Sequence, residues 1–170
     1  MQTGTVKLYS LRYGDARAWL AAALFICGNI AMPQICHMFN AGGRIWLPIY
    51  LFTLIGAYKY GLRVGLLTAA ASPLLNSLLF GMPPTAALPA ILLKSALLAL
   101  FAGIAAARWQ KASLLLIAAA VLAAQAVGTL GEWVMVGNLH AATQDLRIGI
   151  PGIMLQIFGG WAFINYVIRK

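Results

Sequence analysis

Acidic residues are scarce in this chain: among 170 residues only Asp15, Glu132 and Asp145 carry a carboxylate side chain. The sequence therefore has no carboxylate cluster of the kind that holds Mg²⁺ for phosphoryl transfer. It also has no Gly-x-x-x-x-Gly-Lys-Ser/Thr phosphate loop, no Gly-x-Ser-x-Gly elbow and no His-Glu-x-x-His zinc motif. We expect neither ATP hydrolysis nor any other enzymatic activity from this chain, and no cofactor.

Charge and cysteine are also rare, since 9% of the residues are charged, two are cysteines and 62% are hydrophobic. This composition leaves too little polar surface to solvate a globular domain, and two cysteines do not make a disulfide framework. A membrane-spanning helix needs about 20 apolar residues, so several such helices use up the chain. We predict a single transmembrane domain over residues 1–170 that begins with a short basic segment, residues 1–17. The apolar stretch that follows has no obvious cleavage site and is expected to be a retained helix.

Apolar stretches separated by short polar gaps predict an all-α bundle of six transmembrane helices. Their predicted bounds are 18–36, 46–58, 64–81, 85–107, 112–137 and 148–168. The fold class that this implies is an all-α, polytopic membrane protein, and lipid is its first expected partner.

Basic residues mark one side of this six-helix arrangement. Nine of the twelve Lys and Arg residues lie there, and only Arg44 and Arg147 lie on the other side. The nine are Lys7, Arg12, Arg17, Lys59, Arg63, Arg108, Lys111, Arg169 and Lys170. Because cytoplasmic loops carry an excess of Lys and Arg, we predict an inner- or plasma-membrane protein with both termini in the cytoplasm. The net charge of +9 is then explained by orientation and by anionic lipid headgroups, and not by nucleic acid.

Ionisable and polar residues occur inside two of the predicted helices. Gln125, Thr129 and Glu132 are spaced i, i+4 and i+7 and so share one face of the fifth helix, and Lys94 lies in the fourth. A charge at membrane depth costs about 2.5–3.5 kcal/mol on insertion scales, so each must face the interior and find a partner. Two interpretations stay open. Lys94 and Glu132 form a structural pair, or they line a cavity in which Lys94 counters the carboxylate of a solute.

Other polar residues suggest where such a cavity opens. On the third helix, Thr68, Ser72 and Asn76 are expected to face the bundle, as packing hydrogen bonds or as part of the site. The polar residues at the outer end favour a site that opens outward; they are His37, Asn40, Arg44, Asn138, His140, Asp145 and Arg147.

Two histidines and four aromatic residues bear on the nature of the solute. His37 and His140 could ligate a metal or a haem iron, or they are ordinary polar loop residues. A planar ring would find stacking partners among Trp46, Tyr50, Phe80 and Trp133.

Small residues on the first and last helices predict close helix contacts. Ala18 and Ala22 are four residues apart and share one helix face. That face either packs within the bundle or docks onto a partner protein. Gly152 and Gly160 give the sixth helix a thin face for close packing or for the approach of a ligand.

Residues 65–84 read Gly-Leu-Leu-Thr-Ala-Ala-Ala-Ser-Pro-Leu-Leu-Asn-Ser-Leu-Leu-Phe-Gly-Met-Pro-Pro, and residues 88–94 read Leu-Pro-Ala-Ile-Leu-Leu-Lys. Together these two segments resemble the substrate-binding S components of energy-coupling factor (ECF) transporters. In many of those proteins a Gly-Met-Pro-Pro turn joins helices three and four. The length, the six helices, the cytoplasmic termini and the alanine-spaced first helix extend the resemblance over essentially the whole chain.

The resemblance implies a bacterial or archaeal cytoplasmic-membrane protein that captures a vitamin or related micronutrient. Its partner would be an energising module made of a transmembrane coupling subunit and two ATPases, onto which Ala18 and Ala22 would dock. The family's binding site lies in the outer half of the membrane, where Lys94, Gln125, Glu132 and His140 fall. One departure is that Glu is commoner than Lys at the position of Lys94, so no family substrate transfers to this chain.

Two other functions stay open. One is a structural membrane scaffold that resembles the rod-shape protein MreD, and the other is a solitary vitamin transporter. A scaffold needs no polar inner stripe, whereas helix five has one. For the importer, the residues with which we expect the solute to be bound are Lys94, Gln125, Thr129, Glu132, His140, His37 and Asn76. The solute would carry a carboxylate, which Lys94 and Arg147 favour, or would be a tetrapyrrole, which the two histidines favour.

Overall fold

The computed structural model of this chain describes residues 6–38 and 45–168, without the side chain of His37. Within these residues the regular secondary structure is helical. Predictions made for Asn40, Arg44, Arg169 and Lys170, and for the side chain of His37, lie outside the described residues. The long helices are α1 (Ala16–His37), α3 (Leu62–Phe80), α4 (Leu88–Trp109) and α5 (Leu114–Val136). Short helices are α2 (Leu51–Tyr60), α6 (Leu139–Ala142) and α7 (Gln144–Arg147). The last helix, α8 (Ile150–Val167), contains two wide π-helical stretches, Leu155–Gly159 and Phe163–Val167.

Five helices are long and apolar enough to cross a membrane: α1 over Ala16–Cys36, and α3, α4, α5 and α8 over their whole lengths. Their outer surfaces are apolar, and many large side chains there are exposed, among them Leu20, Leu24, Leu78, Leu115 and Val134. Exposed apolar side chains on this scale require a non-aqueous surrounding. The chain is therefore a multi-pass membrane protein, and the bounds predicted for these five helices are within about three residues of those observed.

The second predicted span is not confirmed, because residues 46–58 do not form one continuous helix. A 3₁₀ turn, Pro48–Tyr50, precedes α2, and Leu47 before it adopts a left-handed backbone with φ of 45°. Proline has no N–H to donate, so helical hydrogen bonding is interrupted at that position. The turn and α2 together cover residues 48–60, or about 20 Å of helix, against a hydrocarbon core of about 30 Å. This segment is a buried half-helix surrounded by α1, α3 and α4.

The start of the half-helix is tied to α1 by a side-chain hydrogen bond. Asn29 Oδ1 accepts the backbone N–H of Phe52, one of the groups that a helix start leaves without an intrahelical partner. Asn29 Nδ2 also donates to the hydroxyls of Thr53 and Ser72. The predicted inward face of α3 is confirmed, since Thr68, Ser72 and Asn76 are buried and hydrogen-bonded.

The alanine face of α1 packs inside the bundle. Ala18 and Ala22 are 0% and 2% exposed and belong to the apolar core. This corrects the prediction of a docking face at these two residues, because their small side chains serve the close approach of α1 to its neighbours. The exposed face of α1 carries larger side chains instead, such as Leu20 and Leu24.

The bundle has two chemically different ends. The N-terminal segment pairs with the end of α2, where the N–H groups of Tyr9 and Leu11 donate to the carbonyls of Lys59 and Tyr60. Tyr58 donates its hydroxyl hydrogen to the carbonyl of Lys111, so the loop between α4 and α5 lies at the same end. We call this the basic end, since its charged residues are Lys7, Arg12, Asp15, Arg17, Lys59, Arg63, Arg108 and Lys111. The turn between α3 and α4 and the short helices α6 and α7 lie at the opposite end.

Candidate functional site

The candidate site is built around the buried ammonium group of Lys94. Lys94 Nζ lies 2.5 Å from Glu132 Oε2 and 2.7 Å from Asp145 Oδ2. The contact with Asp145 is also a hydrogen bond, whereas the contact with Glu132 is an ion pair without hydrogen-bond geometry. The three side chains are 6%, 19% and 14% exposed, in the order Lys94, Glu132, Asp145. The predicted pair of Lys94 and Glu132 is confirmed, and the structure adds a second carboxylate to it.

Three separate elements bring these charges together. Lys94 lies six residues into α4, Glu132 four residues before the end of α5, and Asp145 on the short helix α7. Gly128 on α5 leaves room for the stem of Lys94, because a β-carbon at that position would come within 2.7 Å of Lys94 Cγ. Contacts between α4 and α5 therefore fix the lysine, and the loop that carries α7 closes over it.

A cavity of about 400 Å³ lies beside this charged cluster, a size typical of small-molecule sites. It is partly open and lies at the end of the bundle opposite the basic end. Its wall is mainly apolar, with a few polar groups. The residues that line it are Pro33, Leu47, Pro48, Ile49, Tyr50, Asn76, Met82, Pro83, Pro84, Ala87, Ala90, Ile91, Lys94, Glu132, Ala141, Gln144 and Asp145.

A second and much smaller cavity lies deeper in the bundle and shares Tyr50 and Lys94 with the first. Gln125 and Gln156 also line it, and their side chains are 5% and 1% exposed. Within the described residues, Gln125 Oε1 and both polar side-chain atoms of Gln156 have no hydrogen-bond partner. Buried polar groups are normally paired, so these amides are available to a group that enters the smaller cavity.

The structure brings only some of the predicted site residues to the main cavity. Asn76, Lys94 and Glu132 line it, and Gln125 lines the smaller cavity next to Lys94. Thr129 is buried on the same face of α5 but lines neither cavity, and its hydroxyl has no partner among the described residues. The predicted stripe on helix five is therefore inward-facing, although it serves two cavities and not one.

Of the two predicted histidines, only the side chain of His140 lies within the described residues. His140 is exposed on α6 and its Nδ1 lies 2.7 Å from the guanidinium of Arg147, outside the cavity wall. The described part of the chain contains no group of three His, Cys, Asp or Glu side chains that could hold a metal ion. Metal or haem ligation by His37 and His140 stays a prediction.

The predicted aromatic wall is also smaller than expected. Of the four aromatic candidates, Tyr50 is among the residues that line the cavity. The other three are more than two-fifths exposed and lie on the outside of the bundle: Trp46, Phe80 and Trp133. The Gly-Met-Pro-Pro turn contributes instead, through Met82, Pro83 and Pro84. The cavity is thus lined more by proline and aliphatic groups than by rings.

Sequence reasoning missed the role of Asp145. The sequence places it in the outer loop, yet its carboxylate accepts a hydrogen bond from Lys94 at 2.7 Å. A signal was present, because Asp145 is one of only three acidic residues in the chain and a buried lysine needs more than one acceptor for its three N–H donors.

The predicted thin face of α8 is confirmed for packing, since a β-carbon on Gly152 would meet the backbone of Trp46 and one on Gly160 would meet Leu54.

Comparison of the chain with protein-family models, with curated proteins and with solved structures gave no match. The described residues form a membrane bundle with a cavity of about 400 Å³, a buried cluster of three charges in the cavity wall and a water-sized space behind that cluster. Such an arrangement can hold a small polar or charged molecule away from bulk water.

Proposed function

We propose that this chain is the substrate-capture subunit of an ECF-type importer for a vitamin or related micronutrient. The observation that carries the proposal is the cavity of about 400 Å³ with Lys94, Glu132 and Asp145 in its wall. Ionisable residues inside membrane bundles are costly and usually belong to sites for solutes or ions. A bundle with a purely structural role has no need of three buried charges beside an open cavity.

The distribution of basic residues supports an orientation for this capture site. The described loops at the basic end carry an excess of Lys and Arg, which is characteristic of the cytoplasmic side of a membrane. In that orientation the cavity opens outward and the N-terminal segment is cytoplasmic. The half-helix α2 ends at the basic end beside the N-terminal segment, and so does α8, because Asn165 near its end donates to the carbonyl of Ala112. We therefore propose that both termini are cytoplasmic. An outward cavity suits a protein that collects a solute from outside the cell.

The sequence contains no nucleotide-binding loop, so energy for import would come from a partner. We propose the partner implied by the family resemblance, a transmembrane coupling subunit with two ATPases. Because Ala18 and Ala22 are buried in the bundle, the coupling contact would use another surface of the chain or a different conformation of α1. A carboxylate-bearing solute and a tetrapyrrole both stay predictions drawn from the sequence.

Affinity purification of the full-length chain from its own membranes, in mild detergent, tests this proposal. We expect two ATP-hydrolysing proteins and one further membrane protein to co-purify in constant ratio. A solitary transporter would instead move solute in liposomes with no added protein. Co-purification of cell-wall proteins, without ATPases and without solute binding, would favour the scaffold and contradict the proposal.

A further inference from the structure

We infer that the cavity takes a solute that carries a positively charged group, such as an ammonium, an amidinium or a cationic nitrogen heterocycle, held at Glu132 and Asp145. The inference rests on the proposed function, because it assigns a substrate class to the same site. It departs from the expectation, drawn from the sequence, that Lys94 counters a carboxylate of the solute.

The charge balance of the cavity carries this inference. Among the described residues that line it, the charged ones are Lys94, Glu132 and Asp145. One ammonium and two carboxylates sum to −1 when all three are ionised. All three side chains are largely withdrawn from solvent, where an uncompensated charge is unfavourable. A solute with a single positive charge brings the cluster to neutrality, whereas a solute carboxylate brings it to −2.

The geometry of Lys94 excludes it as a free anion receptor. Its ammonium group already contacts two carboxylate oxygens, at 2.5 and 2.7 Å. A solute carboxylate would have to approach within a few ångströms of Glu132 and Asp145 to reach the remaining N–H donor. The two carboxylates, in contrast, are each partly exposed and can accept further hydrogen bonds from a cation.

The smaller cavity gives Lys94 a place to move when a cation arrives. Lys94 lines both cavities, and Gln125 and Gln156 present unpartnered amide oxygens in the deeper one. Those amides are at least nine-tenths buried, and an ammonium group could donate hydrogen bonds to their oxygens. We therefore expect Lys94 to shift toward Gln125 and Gln156 as the solute cation takes over Glu132 and Asp145.

Three probes of matched shape test the charge preference: benzamidine, which is cationic, benzamide, which is neutral, and benzoate, which is anionic. Their binding to the full-length protein in lipid nanodiscs is measured by isothermal titration calorimetry. We expect benzamidine to bind at least about tenfold more tightly than benzoate, the scale of one charge-assisted contact. Binding should be lost in Ala90→Trp, which fills the cavity wall, and kept in Ala86→Trp, which lies on the exposed turn.

A charge series at the cluster provides an internal scale. The ratio of benzamidine to benzoate affinity should rise in Lys94→Met, where the cluster carries −2, and fall toward one in Asp145→Asn, where it carries zero. Arg147→Gln, outside the cavity, should leave the ratio unchanged. The affinity ratio is measured only on variants that keep a cooperative thermal transition. If Lys94→Met does not fold, the comparison of the single variants Asp145→Asn and Arg147→Gln is enough to test the charge preference.

Two kinds of failure are distinguishable. Benzoate or benzamide binding as tightly as benzamidine, or benzamidine binding that survives Ala90→Trp, would overturn the cation inference and leave the proposed import function standing. No saturable binding of any of the three probes would overturn the cavity as a solute site, and with it both the inference and the proposed function.

Discussion

Gly128 lies against the side chain of Lys94, and a β-carbon at position 128 would come within 2.7 Å of Lys94 Cγ. The missing side chain is what allows the stem of the lysine to lie between α4 and α5 while its ammonium group reaches Glu132 and Asp145. Gly128 thus positions Lys94, the one buried cation among the described residues of the cavity wall.

Substitution Gly128→Ala should displace Lys94 and weaken its two ion pairs. Overpacking of a well-packed contact costs about 1–3 kcal/mol, so the thermal midpoint in detergent should fall by several degrees. Gly159→Ala is the matched control, because the nearest atom there is the end of the flexible Leu155 side chain at 3.1 Å. Equal effects of the two substitutions would show that Gly128 does not position the lysine.

Removal of the buried cation should destabilise the protein more than removal of the whole cluster. Lys94→Met leaves Glu132 and Asp145 close together without their counter-ion, and breaking a buried ion pair in this way costs about 3–5 kcal/mol. The triple variant Lys94→Met, Glu132→Gln, Asp145→Asn carries no charge in the cluster and should recover most of the loss. Thermal unfolding monitored by circular dichroism compares them. A triple variant no more stable than Lys94→Met would contradict the ion-pair account.

Asn29 should control the order of the half-helix α2. Asn29→Leu removes the acceptor for the N–H of Phe52 and a donor to Thr53 and Ser72. Leaving a buried donor unpaired costs about 1–3 kcal/mol. Hydrogen exchange of the amides at residues 51–55 should accelerate in this variant. Asn165→Leu, which breaks hydrogen bonds at the basic end, should leave those amides protected, and acceleration in both would indicate general loosening of the bundle.

The proposed orientation makes opposite predictions for two exposed positions. Thr85 lies on the turn near the cavity and Lys111 in the loop at the basic end, and both are exposed. With Cys27 and Cys36 replaced by serine, Thr85→Cys should react with a membrane-impermeant maleimide on intact cells. Lys111→Cys should react only after the membrane is opened. The reverse pattern would place the cavity on the cytoplasmic side.

The long helices were predictable because hydropathy and loop charge act over many residues at once. The half-helix was not, because its nature depends on one left-handed residue, Leu47, and on a cap supplied by Asn29 from another helix. Mean hydropathy is taken over many residues and does not detect such a break. The apolar stretch 46–58 therefore predicted a continuous transmembrane helix. Pro48 does indicate a break in the helix at this point, because proline has no backbone N–H to donate.

Part of the candidate site could likewise be predicted from the sequence and part could not. Glu132 was predictable as a partner of Lys94 because both charges lie in apolar helices and each needs compensation. The contribution of Asp145 depends on how the loop between α5 and α8 folds back over the bundle, which no helical periodicity encodes. For the same reason, the spacing that placed Ala18 and Ala22 on one face could not tell whether that face met the bundle or a partner.

Native mass spectrometry of the full-length protein, released from its own membranes, tests directly whether the cavity holds a small molecule. We predict a population whose mass exceeds that of the chain by one bound small molecule, removable by collisional activation. The same population should be absent from Ala90→Trp and present in Ala86→Trp. A wild-type protein that carries no small molecule when purified from cells grown in rich medium, or an adduct that persists unchanged in Ala90→Trp, would contradict the account.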